Sequence, residues 1–211
     1  MSISFALFAK APVLGQTKTR LQGSLGESGA VAAHCQLVEH ALAQLSQLSQ
    51  LLQRQGVHVE LWISEAHPMA QAWSERFAMP LQVQQGTDLG ARMHHALQQQ
   101  LSNGASFAFV MGCDCPTLGT GYLDWAAKQS EQADVIIAPA EDGGYGLIGL
   151  AQPQAHLFVD MPWGTDAVYT QTLERAKRAG LRVVIGAEIW DVDRPEDWTR
   201  FQSLVQLNPI L

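Results

Sequence analysis

Residues 107–118 read FAFVMGCDCPTL. The first six, Phe107 to Gly112, are apolar and aromatic-rich and carry no charge, the pattern of a strand buried on both faces. The run then breaks into Gly112, Cys113, Asp114, Cys115 and Pro116. That order delivers one carboxylate, Asp114, at the carboxyl end of the strand, where open α/β sheets bind ligands. A carboxylate there suits a hard divalent cation, Mg²⁺ or Mn²⁺, which prefers oxygen ligands. It equally suits a cap for the helix that follows.

Upstream, ISFALFA (3–9) reads as a first buried strand, and KAPVLGQTKTRL (10–21) follows it. Pro12 and Gly15 forbid a regular helix at the start of this stretch, so it reads as a loop at the carboxyl end of the strand. Lys10, Lys18 and Arg20 fall within it, where 13 cations in 211 residues would place about one. Gly15 lets backbone N–H groups approach an anion, and Lys18 and Arg20 supply charge. The pattern is a phosphate-binding loop or a solvated basic loop; it is not a Walker A loop, because GxxxxGK[ST] is absent. Residues 27–54 then carry Val31, Cys35, Val38, Leu42, Leu45 and Leu52 on one helical stripe. His34 and His40 on that helix read as surface or packing residues.

VHVELWIS (57–64) and PLQVQ (80–84) read as strands, separated by a short amphipathic helix, 68–78. GTDLGARM (86–93) leads into a helix ending near Leu101. Its glycines, acid and Arg92 fit a nucleotide contact or a turn with a cap.

Downstream of Asp114, 122–129 reads as a helix and ADVIIAP (133–139) as a strand. EDGGYGLIGL (141–150) breaks the rhythm. Asp142, Gly143 and Gly144 form a tight turn before the strand YGLIGL, and the turn falls on the same sheet edge as Lys10 and Asp114. Gly143 and Gly144 leave room for a ligand, and Tyr145 could stack or hydrogen-bond; an ordinary hairpin turn is the plain alternative. FVDMPWGT (158–165) places Trp163 in a loop, as a pocket wall or as core, before a helix at 166–179 and a strand at 181–186. Asp191 and Asp193 are two apart in WDVDRPEDW and share a face on an extended segment. Asp193 reads as a second metal carboxylate. Pro195 opens the last helix, with Glu196 and Asp197 suiting its positive N-terminus.

Repeated βα units predict an α/β fold, three-layer α/β/α with a mostly parallel central sheet, in one domain spanning 1–211. The formal charge of −7 argues against nucleic acid or an anionic membrane as partners. Three cysteines cannot form a disulfide framework, and two thiolates are too few for a closed zinc site, so Cys113 and Cys115 read as packing residues. With no bilayer-spanning run and no charged leader before an apolar one, a cytoplasmic location is expected.

Taken in order, FAKAPVLGQTKTRL, DLGARM, GCDCPTL, EDGGYGLIGL, PWGTDAV and DVDRPEDW resemble the DUF2064 proteins, also called radical-SAM/selenodomain-associated transferase 1. These belong to the nucleotide-diphospho-sugar transferase superfamily, with the GT-A fold. The resemblance covers nearly the whole chain. It implies a site in which Asp114 and Asp193 hold the metal, the Lys10–Gly15–Lys18–Arg20 loop meets the nucleotide as in phospholactate guanylyltransferases, and Asp142, Gly143 and Gly144 meet the sugar or acceptor. Where the family often has an aromatic this chain has Gly146, implying a larger acceptor pocket. The implied partners are a nucleotide sugar or a nucleoside triphosphate and a small-molecule acceptor. The implied reaction is glycosyl transfer or, alternatively, nucleotidyl transfer, with a non-catalytic nucleotide-binding module as the third reading. Lys18 and Asp114 would stabilise the leaving group and Asp142 is the candidate general base.

Overall fold

The computed structural model describes residues 2–52 and 56–207. Strands β1 (Ile3–Ala9), β2 (Val57–Ile63), β3 (Leu81–Val83), β4 (Phe107–Gly112), β5 (Val135–Pro139), β6 (Tyr145–Leu150) and β7 (Val183–Ile185) form one seven-stranded sheet, ordered β3-β2-β1-β4-β6-β5-β7. β1 pairs in parallel with β2 and β4, β2 with β3, and β5 with β7. β6 runs antiparallel to both neighbours, β4 and β5. Helices α1 (Gln22–Leu51), α2 (Pro68–Phe77), α3 (Leu89–Ser102), α4 (Thr120–Gln129), α5 (Val168–Arg178) and α6 (Pro195–Leu207) complete the order.

The expected three layers follow from strand alternation. Ile3, Phe5, Leu7 and Ala9 of β1 face one core with Phe107, Phe109 and Met111 of β4. Val38, Leu42 and Leu45 of α1, Trp73 of α2 and Leu123 of α4 cover that face. Ala6 and Phe8 face the opposite way with Ala108 and Val110, under Met93 and Leu97 of α3 and Ala176 of α5. Both faces of the central strands are therefore dry, which is why they read as unbroken apolar runs.

Helix α1 is buried more widely than its single apolar stripe predicts. Ala33 and Leu37 turn to a third cluster with Trp190, Val192, Trp198 and Phe201, so α1 lies between the sheet and α6. Gly26, at φ 70° and ψ 171°, separates the first turn of α1 from its regular body. That matches the expected start at residue 27; the expected end, at 54, lies outside the described residues. Asp197 accepts from the backbone N–H of Arg194 at 2.8 Å, the capping role read for it at the start of α6.

Gly149 on β6 sits opposite Phe109, whose ring stacks on Phe5 at 4.5 Å. A methyl group at Gly149 would come within 2.3 Å of Phe109 Cδ1 and 2.7 Å of Phe107 Cε1. Gly149→Ala is therefore expected to lower stability by about 1–3 kcal/mol in urea unfolding. Gly121→Ala, in open space on α4, is expected to be neutral or slightly stabilising by the same measurement.

Candidate active site

One sheet edge gathers the residues of interest. β1 and β4 end together there, Phe8 pairing with Gly112. Because β6 is antiparallel, its first residue, Tyr145, lies beside Pro139 at the same edge. The connection between them is the hairpin turn of the plainer reading, and Asp142, Gly144 and Tyr145 border the cleft. After β7 the chain crosses this edge. Ile189 bridges Ala140, its N–H donating to Pro139 O at 2.8 Å. Val192 N–H then donates to Asp114 O at 2.8 Å. This crossing carries Asp191 and Asp193 to the end of β4.

Gly146 makes the crossing possible. A Cβ there would lie 2.4 Å from both Cys115 Sγ and Ile189 Cδ1. Gly146 lines the cleft, as expected of an acceptor pocket, but the position its side chain would take is filled by those two side chains. Gly143, at φ +84°, does similar work, since a Cβ would meet the Asp166 backbone at 2.4 Å. It admits the start of the α5 segment rather than a ligand. Cys113 and Cys115 are buried in the main core, as expected, and burial followed by Asp114 pushes the Cys113 thiol up to about 12.

The loop after β1 is anchored from within. Thr17 is buried, and its hydroxyl is shared between the carbonyls of Ala11 (3.1 Å) and Val13 (3.2 Å). Lys18 follows at φ 48° and ψ 48°, a left-handed conformation that costs about 1–2 kcal/mol for a residue with a Cβ. That backbone aims the side chain inward, where it is 9% exposed. The ammonium donates to Asp114 Oδ2 at 2.9 Å and to Val192 O at 2.6 Å. Burial opposes the charge on both partners, and their mutual attraction outweighs it. The Asp114 carboxyl is held below the ordinary aspartate range and the Lys18 ammonium above the ordinary lysine value. Arg20 pairs with Asp193 Oδ2 nearer solvent, with side chains 65% and 35% exposed, so this second pair contributes little.

A cleft of about 1000 Å³ opens over this edge. Lys10, Lys18, Arg20 and Arg92 reach its wall, as do Asp114, Asp142, Asp191 and Asp193. Gly144, Tyr145 and Trp163 line it too. Gly15 and Gly143 do not; the positive φ of Gly15 serves an exposed turn. Asp142 accepts from Gly144 N–H at 2.8 Å, which orients its carboxylate. Trp163 both packs and lines: a Cβ on Gly90 would touch its ring at 2.7 Å, and it meets Tyr145 edge-on. Asp88 caps α3 by accepting from Ala91 N–H at 2.8 Å, and Arg92 donates to Gly86 O at 3.3 Å. The turn-and-cap reading of GTDLGARM thus holds, with Arg92 also at the wall.

Two residues of the cleft were named in the sequence but given no role at the site. Asp191 is the first. Burial and repulsion from Asp114 and Asp142 push its carboxyl up to about 6, against the pull of Lys18. Its signal was the two-residue spacing from Asp193. His34 is the second; it is 3% exposed and lines the cleft. Its Nε2 lies 2.9 Å from Lys10 O, so that nitrogen carries the proton. Its Nδ1 has no hydrogen-bond partner among the described residues. One histidine on a helix face carries no sequence signal for this.

Among the described residues no cluster of three or more His, Cys, Asp or Glu is arranged as a metal cage. Mg²⁺ does not require one, because it is commonly held by one or two carboxylates with phosphates and water completing its shell. Asp114 and Asp193, both lining the cleft, fit that mode.

The family model described as "Uncharacterized protein conserved in bacteria (DUF2064)" matches residues 47–165. The chain belongs to the DUF2064 family. Among solved structures this DUF2064 chain is similar to a protein of Desulfovibrio desulfuricans G20 provisionally named a nucleotide-diphospho-sugar transferase. The two are 29% identical with a TM-score of 0.76, over 92% of this chain and 84% of that one. It also shares a fold with 4-diphosphocytidyl-2C-methyl-D-erythritol synthase of Anaerococcus prevotii DSM 20548 (10% identity, TM-score 0.64, 98% and 99% covered). A CMP:2-keto-3-deoxy-manno-octonic acid synthetase complexed with CTP matches at 12% identity and TM-score 0.60, with 98% and 99% covered. No curated protein matches the chain. The fold is thus that of the nucleotide-diphospho-sugar transferases. Among the described residues no helix is long and apolar enough to cross a membrane.

Asp114→Ala strands the Lys18 ammonium without its carboxylate. Breaking a fully buried pair costs about 3–5 kcal/mol. Asp114 is 38% exposed, so the loss expected here is about 1–3 kcal/mol. The depressed Asp114 carboxyl stabilises above its unfolded pKa and stops doing so as pH falls through its folded value. The raised Lys18 stabilises below its unfolded pKa and is lost as pH rises through its folded value. The stability gap between wild type and Asp114→Ala should therefore be widest between about pH 4 and about pH 10 and shrink outside that range, read by urea unfolding across pH.

Proposed function

We propose that this DUF2064 protein is a metal-assisted transferase that moves a glycosyl group from a nucleoside-diphosphate sugar to a small acceptor. The observation that carries the proposal is that Asp114, after β4, and Asp193, after β7, line one cleft, each paired with a cation of the first loop, Lys18 and Arg20. The name of the 29% identical Desulfovibrio protein supports the class of donor.

The difficulty in such a transfer is the charge that accumulates on the diphosphate as its bond to the sugar breaks. When bound, Mg²⁺ or Mn²⁺ held by Asp114 and Asp193 would neutralise much of that charge. Lys10, Lys18, Arg20 and Arg92 face the same space and bind the phosphates and nucleotide, fixed cations in a preorganised site. Tyr145 and Trp163, set edge-on, and Gly144 beside them form the wall for sugar and acceptor. Asp142, oriented by the Gly144 N–H, takes the proton from the acceptor hydroxyl. The hydroxyl oxygen bonds the sugar's anomeric carbon, and the electron pair of the broken bond leaves with the diphosphate.

A second reading, nucleotidyl transfer from a nucleoside triphosphate, is favoured by the number of cations on the wall, with Lys10 and Arg92 in addition to the two paired ones. Incubation with Mg²⁺ and each class of donor separates the readings. Glycosyl transfer releases nucleoside diphosphate from a nucleotide sugar; pyrophosphate release from a triphosphate would support the second reading instead. Binding of nucleotides without turnover of any donor would leave a non-catalytic module. Asp193→Asn is expected to lower the metal-dependent rate about 10²- to 10³-fold with the fold intact, and an unchanged rate would remove Asp193 from the site.

A further inference from the structure

We infer that Lys18 is the resident counter-ion of the carboxylate pair and must exchange Asp114 for a phosphate of the ligand before the site can act. This rests on the metal reading above and adds a step to it.

The two oxygens of Asp114 are not equivalent. Oδ1 packs over the backbone, 2.9 Å from where a Cβ of Gly112 would stand, with Cys115 Sγ at 3.9 Å. Oδ2 is the oxygen turned to Lys18, and Lys18 occupies it at 2.9 Å. A divalent cation bound at Oδ2 would repel the Lys18 ammonium at the same oxygen, so metal binding there favours release of Lys18. Asp193 meets no such obstacle, because its partner, Arg20, is largely exposed.

The loop is built for a local exchange. Thr17 and Leu21 are buried on either side of residues 18–20 and hold the loop in place. Between them the Lys18 backbone is left-handed, a conformation that its own inward ion pair helps to hold. Release of the side chain frees that backbone to relax without moving either anchor. Charge balance is also kept. Lys18 and Arg20 now offset Asp114 and Asp193; after exchange the divalent ion offsets the two acids and the two cations offset the diphosphate. A ligand that brings metal and phosphate together can thus replace one neutral arrangement by another. Metal alone leaves Lys18 without its hydrogen-bonded carboxylate.

The test follows Lys18 itself. The wild-type chain is acetylated with an amine-reactive ester, and modification of Lys18 is followed by peptide mass spectrometry, with the exposed Lys128 as internal standard. Mn²⁺ occupancy is read in the same samples from the paramagnetic resonance signal of the free ion. Without metal, Lys18 is expected to react slowly. Saturating Mn²⁺ alone should raise its rate about tenfold or more, and added nucleoside diphosphate should protect it again. Lys18→Met should bind Mn²⁺ about tenfold more tightly than wild type. Mn²⁺ uptake with Lys18 still unreactive, or Lys18→Met binding no tighter, overturns the exchange alone. Absence of Mn²⁺ uptake by both chains overturns the metal reading and the exchange with it.

Discussion

A single buried ammonium, that of Lys18, joins three parts of the chain that are far apart in sequence. It belongs to the loop after β1, it bonds the carboxylate after β4, and it bonds a carbonyl of the segment after β7. A charge so little exposed is tolerated only when paired and hydrogen-bonded. Its position therefore requires that Asp114 and Val192 both be where they are. The backbone bond from Val192 to Asp114 fastens the same two segments a second time.

The remaining arrangement serves that meeting. The antiparallel β6 brings Tyr145 to the edge where β1 and β4 end. Gly146 gives the crossing segment its path beneath Ile189 and beside Cys115. Packing of α6 against α1, through Trp198, Phe201 and Leu37, holds the far end of the crossing segment in place. The result is a cleft whose acids follow β2 and β4 or lie in the β5–β6 turn and the segment before α6, and whose cations come mainly from the first loop. Such a mixture of fixed opposite charges is suited to a ligand that itself carries phosphates.

Much of this was legible in the residues. The unbroken apolar runs at 3–9 and 107–112 coincide with β1 and β4, because strands covered on both faces need no polar alternation. Asp114 was legible as a carboxylate at the end of a strand, whereas the pairing of Asp193 with it came from the family resemblance. The direction of β6 was not inferred, although a signal existed: the turn between Pro139 and Tyr145 is too short for a parallel crossover. The partners of Lys18 and Arg20 lie 96 and 173 residues away, and no local pattern announces them. The loop read as a set of cations awaiting an anion, whereas two of those cations already hold the acids. His34 read only as a surface or packing residue, because burial of one helix position depends on what the helix packs against, and α1 packs on two sides.

The central claim is that Asp114 and Asp193 share one divalent ion over the end of the sheet. The most direct measurement is anomalous diffraction at the manganese edge from crystals grown with Mn²⁺ and a nucleoside diphosphate. The account predicts a peak bonded to carboxylate oxygens of both residues, with Lys18 turned to a phosphate. A bound nucleotide with no peak there, or a peak that touches neither carboxylate, would contradict it.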